Sequence, residues 1–149
     1  MKKIIGMFLM CFLCLCSCSN KPFDLEASKQ KVLDMGYTIQ NECKTESEIA
    51  EMEKAILSTM KSDGYDTEGL DLQITYYVRY TIYIKDDYNS VYEAVDFVTF
   101  ESDKAAKYYY DYSIKSRSKD SEWRSQIRGN ITIDTNNKDV MEAIGGTFK

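Results

Sequence analysis

LQITYYVRYTIYI, residues 72–84, alternates with a period of two. Leu72, Ile74, Tyr76, Val78, Tyr80, Ile82 and Ile84 fall on one face, and Gln73, Thr75, Tyr77, Arg79, Thr81 and Tyr83 on the other. Successive side chains of a strand point to opposite sides, so this pattern predicts a strand with one core face and one wet but aromatic face. Residues 85–90 read as a hairpin loop, and 91–100 return as a second strand. In that strand Val95 and Phe97 point away from Val98 and Phe100, which predicts either a bulge or partial cover on both faces.

Helices flank this hairpin. Thr45 and Glu48 have capping-box spacing, and behind them Ile49, Met52, Ile56, Leu57 and Met60 trace one stripe, predicting a helix that ends near Asp63-Gly64. A first helix is expected over 23–35, with Leu25, Val32, Leu33 and Met35 near one face, and a short strand over 37–40. Ser102 is placed to cap a helix running to about residue 114, with Ala105, Ala106, Tyr109 and Tyr112 or Tyr110 against the sheet. A Ser-rich turn region spans 116–125 around Trp123. A last strand follows over 130–135, and Asn136 or Asn137 caps a short final helix carrying Val140, Ala143 and Ile144. The order implies an α+β domain: a ferredoxin-like split βαββαβ sandwich with flanking N- and C-terminal helices.

The chain of 149 residues contains no histidine, which removes the commonest general base and the commonest metal ligand. One proline, seven glycines and no repeat argue for one domain without a long linker. No nucleophile elbow, phosphate loop or dinucleotide fingerprint occurs. Asp86, Asp87 and Asn89, or Asp134, Asn136 and Asp139, offer oxygen ligands but lack the glycine and distal glutamate of a calcium loop, so turn formation and capping account for them. No cofactor or metal is expected.

At the amino terminus Lys2 and Lys3 precede an apolar run over 4–15, shorter than the ~20 residues a membrane-spanning helix needs and suited to a secretory signal. The four cysteines of residues 11–18 have no further cysteine pair to complete a metal cluster, and in such a segment Cys11, Cys14 and Cys16 act as small apolar residues. Leu15-Cys16-Ser17-Cys18 resembles the lipobox of bacterial lipoproteins. The resemblance implies a signal peptide over 1–17, a diacylglycerol thioether on Cys18, a short tether over 18–22 and a single domain over 23–149. Two acyl chains make a stable anchor where one is marginal. The alternatives are a cleaved signal that releases the protein and an uncleaved anchor. Loss of the leader leaves 17 basic against 24 acidic side chains, a net charge of −7. Such a domain faces away from anionic lipid and lacks the basic stripe of a nucleic-acid binder. Cys43 is then a lone thiol, read either as a small buried residue or as a reactive one.

Two further stretches, residues 98–110 (VTFESDKAAKYYY) and 129–144 (GNITIDTNNKDVMEAI), resemble small uncharacterised lipoproteins of low-GC Gram-positive bacteria. That resemblance carries no catalytic residues. Partner-binding candidates come from the residues themselves. Tyr77, Arg79 and Tyr83 share a face that, left uncovered, would be an aromatic and cationic patch fit for sugar rings, peptide or protein; covered by a helix, they are packing residues. Trp123 and Arg124, with Arg117 and Arg128 nearby, are residue types typical of protein contacts, though a Trp folded over the core edge fits as well. The function expected is that of a membrane-anchored extracytoplasmic lipoprotein with a non-enzymatic protein- or peptide-binding module. One alternative is a small-ligand-binding accessory protein for uptake, with its pocket between sheet and helix. The other is an enzyme using Glu93 or Asp96 as general base.

Overall fold

A computed structural model describes residues 23–85 and 90–147. The expectations for the leader, Cys18, the tether and the Asp86-Asp87-Asn89 group lie outside the described residues. Four helices and five strands follow in the order α1 (Leu25–Asp34), β1 (Thr38–Cys43), α2 (Glu46–Ser62), β2 (Ile74–Lys85), β3 (Ser90–Phe100), α3 (Asp103–Ser116), β4 (Arg124–Arg128), β5 (Ile131–Thr135) and α4 (Lys138–Ala143). The protein is α+β, as its patterning predicts.

Local chemistry sets the helix starts. In α2 the Thr45 hydroxyl accepts from the Glu48 N–H while the Glu48 carboxylate accepts from the Thr45 N–H, the full capping box. Ser102 caps α3 and Asn137 caps α4, each accepting backbone N–H groups of the first turn. Asp24 does the same for α1.

The sheet is antiparallel throughout, in the order β1-β2-β3-β5-β4. It differs from the ferredoxin-like expectation. A split βαβ unit inserts a strand between two parallel ones, whereas β1 and β2 are direct antiparallel neighbours. The physical reason lies after α2. The helix carries the chain about 25 Å away, and residues 63–73 then run back beside it, held by the Leu72 N–H donating to Glu53 Oε1 at 2.7 Å. The chain therefore re-enters the sheet at the end it left. A fifth strand, β4, occupies part of the stretch read as a Ser-rich turn, and joins β5 through Gly129-Asn130, with Gly129 at φ +60°. Glycine is favoured at that first position of a two-residue hairpin turn.

Helices cover both faces of the sheet. On one, Val78, Tyr80, Val95, Phe97 and Ile133 pack against Val32 of α1 and Val140 and Met141 of α4. On the other, Cys43, Tyr77, Val98 and Phe100 pack against Met60 of α2 and Ala106 and Tyr112 of α3. The mixed pattern of β3 thus reflects cover on both faces. The bulge lies instead in β2, between Ile74 and Tyr76, and it puts Ile74 on the same face as Tyr77. A second irregularity bends β1 between Ile39 and Asn41. Beyond Thr81 and Ala94 the hairpin of β2 and β3 extends as a two-stranded ribbon, and on it Tyr83, Ile84, Val91 and Tyr92 are exposed.

Phe97 has no exposed surface and meets Tyr80 edge-on with ring centroids 6.1 Å apart. Phe97→Ala is expected to destabilise by about 3–5 kcal/mol, and Tyr83→Ser on the ribbon by less than about 0.5 kcal/mol. Urea unfolding followed by circular dichroism measures both.

Candidate functional site

One rung of the sheet is polar on the α2–α3 face and crosses all five strands. In order it reads Asn41, Arg79, Asp96, Asp134 and Ser125, each the register partner of the next. The rungs beside it carry Tyr77 and Val98 on one side and Thr81 and Ala94 on the other. Neighbouring strands lie about 4.8 Å apart, so consecutive members are cross-strand neighbours.

Because helices cover this face, the charges compensate one another. Arg79 donates from Nε to Asp96 Oδ1 at 2.7 Å and from Nη2 to Asp96 Oδ2 at 2.6 Å, a bidentate pair. The Tyr77 hydroxyl adds a third donor at 3.2 Å to Oδ1. Arg117, from the end of α3, and Ser125 both donate to Asp134 Oδ1. Asp134 Oδ2 is buried without a partner. Burial pushes the Asp134 carboxyl above its usual range, and Arg117 and Ser125 pull against that shift.

Over this rung the two helices leave a groove of about 570 Å³. Its floor is Tyr77, Arg79 and Asp96, with Asn41 at the β1 edge; α2 supplies Met52, Ala55 and Ile56, and α3 supplies Tyr109 and Tyr112. A recess of about 230 Å³ continues from it, sharing Arg79, Asp96, Tyr109 and Tyr112 and bounded by Arg117, Trp123 and Asp134. The walls are tied together where the Tyr112 hydroxyl donates to Asp63 Oδ2 at 2.7 Å and its ring meets Tyr65 edge-on at 4.9 Å. Concavity, ring faces and a few polar groups on rigid elements are the usual makings of a ligand site.

The residues singled out in the sequence are divided by this architecture. Tyr77, Arg79 and Tyr83 share a sheet face but not a surface: Tyr77 is 6% exposed beneath the helices, and Tyr83 is 64% exposed on the ribbon. Arg79 lies between them, its side chain 38% exposed at the groove floor. An open three-residue patch is therefore absent, since α2 and α3 cover the ground it needs. Trp123 reaches the recess, half-buried. Arg124 turns back on its own loop, donating to the carbonyls of Ser121 and Trp123. Arg128 donates to the Gly145 carbonyl and holds β4 to the end of α4.

Glu93 and Asp96 lie on opposite faces of β3 and cannot act on one substrate. Glu93 accepts from the Tyr37 hydroxyl and from Asn137, locking α4 to the start of β1. Turn formation and capping do not account for the Asp134-Asn136-Asp139 group as a whole: Asp134 is a buried strand residue paired with Arg117, Asn136 ties the end of β5 to β3 by accepting from the Ala94 N–H and donating to the Tyr92 carbonyl, and only Asp139, in the first turn of α4, sits where the helix start favours its charge. Cys43 is buried beside the start of α2, and desolvation, then Glu48 and Glu51, raises its thiol and disfavours the thiolate. Among the described residues no cluster of three or more His, Cys, Asp or Glu could hold a metal ion, and no helix is long and apolar enough to cross a membrane.

No family model matches the chain, and neither a curated protein nor a solved structure shows significant similarity to it.

Alkali tests the tyrosine-rich packing on both faces of the sheet, with Tyr112 at the groove wall and Tyr80 beneath α1 and α4. Burial raises the Tyr80 and Tyr112 hydroxyls from 10.0 to about 12, with a further push on Tyr112 from its bond to Asp63. The neutral phenol is the form the fold favours, so this stabilisation is complete below pH 10 and lost as pH rises through 12. Unfolding free energies measured by urea titration are expected to fall across that interval, with tyrosinate absorbance rising together with loss of structure.

Proposed function

We propose that this protein is a non-enzymatic lipoprotein held by acylated Cys18 on the extracytoplasmic face of a bacterial membrane, and that its work is to bind a small ligand in the groove between α2 and α3. The single observation behind the binding assignment is the groove itself: about 570 Å³, floored by the Arg79–Asp96 pair and walled by rigid helices. Its volume falls in the range of small-molecule sites. Its place between sheet and helices is where the uptake-accessory alternative requires a pocket.

The carboxylates support binding over catalysis. Both oxygens of Asp96 are engaged by Arg79, and Glu93 faces the other side of the sheet. Each is thereby committed to holding the structure together rather than to taking a proton from a substrate.

A protein or peptide partner is the second reading, and it is favoured by the ribbon, where Tyr83 is 64% and Ile84, Val91 and Tyr92 each about 45% exposed. Apolar residues gathered at one end of a monomer are characteristic of contact surfaces. The two readings are compatible, since ribbon and groove occupy different parts of the sheet.

Cys18→Ser is expected to abolish incorporation of a fatty-acid probe and to move the protein out of the membrane fraction; unchanged labelling refutes the anchor. For the groove, the mature chain is titrated with amino acids, nucleosides, monosaccharides and short-chain acids while its amide resonances are followed. At least one class should shift Asn41, Ile56 and Arg79 saturably, and Ala55→Trp, which fills the groove from an exposed helix position, should remove the shifts. Unmoved groove resonances across the panel defeat the binding assignment.

A further inference from the structure

We infer that the ligand of this groove is an uncharged, hydroxyl-rich molecule, a saccharide, a reading that rests on the groove being the binding site. The first argument is charge. The floor carries one guanidinium and one carboxylate locked to each other, so the site presents no uncompensated charge to a ligand. An ion entering it would surrender its hydration with no opposite charge left to replace that loss. An anion is further opposed by a mature chain with 17 basic against 24 acidic side chains.

The second argument is the balance of unused hydrogen-bonding groups. Arg79 spends Nε and Nη2 on Asp96, which leaves both N–H groups of Nη1 without a partner among the described residues. Asp96 Oδ2 accepts only one hydrogen bond, from Arg79. Asn41, on the exposed edge strand, keeps its whole side-chain amide unbonded, a donor and an acceptor together. Donors and acceptors therefore stand side by side on planar groups. A hydroxyl donates once and accepts twice, so neighbouring hydroxyls satisfy such a set without bringing charge.

The third argument is the apolar part. Met52 of α2 and the Tyr109 ring of α3 offer surfaces for the C–H faces of a sugar ring, and Trp123 offers another in the adjoining recess. The recess adds about 230 Å³ and shares Arg79 and Asp96 with the groove, so more than one ring can be held along the same polar rung.

The test uses the mature chain and two readouts: the emission of Trp123, which is the only tryptophan in the sequence, and the side-chain amide resonance of Asn41. Glucose, N-acetylglucosamine and maltotriose are the neutral probes; glutamate and lysine are the charged ones. At least one saccharide is expected to shift both signals saturably. Asn41→Ala, at an exposed position with no bond to lose, should keep the wild-type melting temperature and weaken that saccharide by roughly fivefold to tenfold. Arg79→Lys, which keeps the charge but loses the fork, should also weaken it. Saturable binding of glutamate or lysine without any saccharide overturns this inference and leaves the groove assignment standing. Silence from every probe overturns the inference, and the groove assignment falls with it when nucleosides and short-chain acids also leave the groove resonances unmoved. Saccharide binding that is as tight in Asn41→Ala as in the wild type also overturns the inference.

Discussion

The mutual neutralisation of Arg79 with Asp96, and of Arg117 with Asp134, is the condition on which the rest of the architecture depends. An antiparallel sheet commonly turns one face to water. Here both faces lie under helices, and a charged rung runs through the middle of one of them. Two aspartates that are cross-strand neighbours would repel each other if left alone. An arginine from β2 on one side and one from the end of α3 on the other remove that repulsion, and each is bound by hydrogen bonds as well as by charge. Such arrays contribute little net stability over a well-packed apolar core, yet they are costly to break singly. Their effect is on register: sliding β5 by one residue would turn Asp134 to the opposite, apolar face.

The groove above that rung is built from the packed elements of the domain. The groove floor is strand, its walls are helices, and the walls are joined by Tyr112 to Asp63 and by Tyr65 to Tyr112. Floor and walls therefore belong to the packed body of the domain rather than to loops. Side chains held in this way lose little freedom when a ligand arrives.

Much of the fold is legible in the sequence wherever the signal is local. The Thr45–Glu48 box and the stripe from Ile49 to Met60 define α2 because capping and helical periodicity act within a few residues. The alternation of residues 72–84 likewise gives β2. What was not legible is pairing. Whether β1 lies beside β2 depends on the return path of residues 63–73, fixed by Glu53 reaching the Leu72 N–H, and no periodicity reports that. β4 escaped because RSQIR has one apolar residue and sits on a sheet edge. The alternation sets Tyr77 on a wet face because tyrosine and arginine suit exposed strands; the apolar Val98 and Phe100, which share that face and are buried, carry the contrary signal. For the site, Arg79 and Trp123 were visible as residue types, whereas Asp134 and Arg117 were not visible as a pair. They meet only through tertiary packing, and the alternation of ITIDT, which sets Asp134 on the same face as Thr132, gives no sign that this face is covered.

The bend in β1 between Ile39 and Asn41 has a consequence for coexistence of many copies. β1 is an outer strand, largely exposed, with one row of backbone groups unmatched. Straight, it would be a template on which a neighbour's strand could zip, copy after copy, into a fibre. The irregularity at Gln40 breaks the spacing that such zipping needs, which closes this edge to that mode of growth.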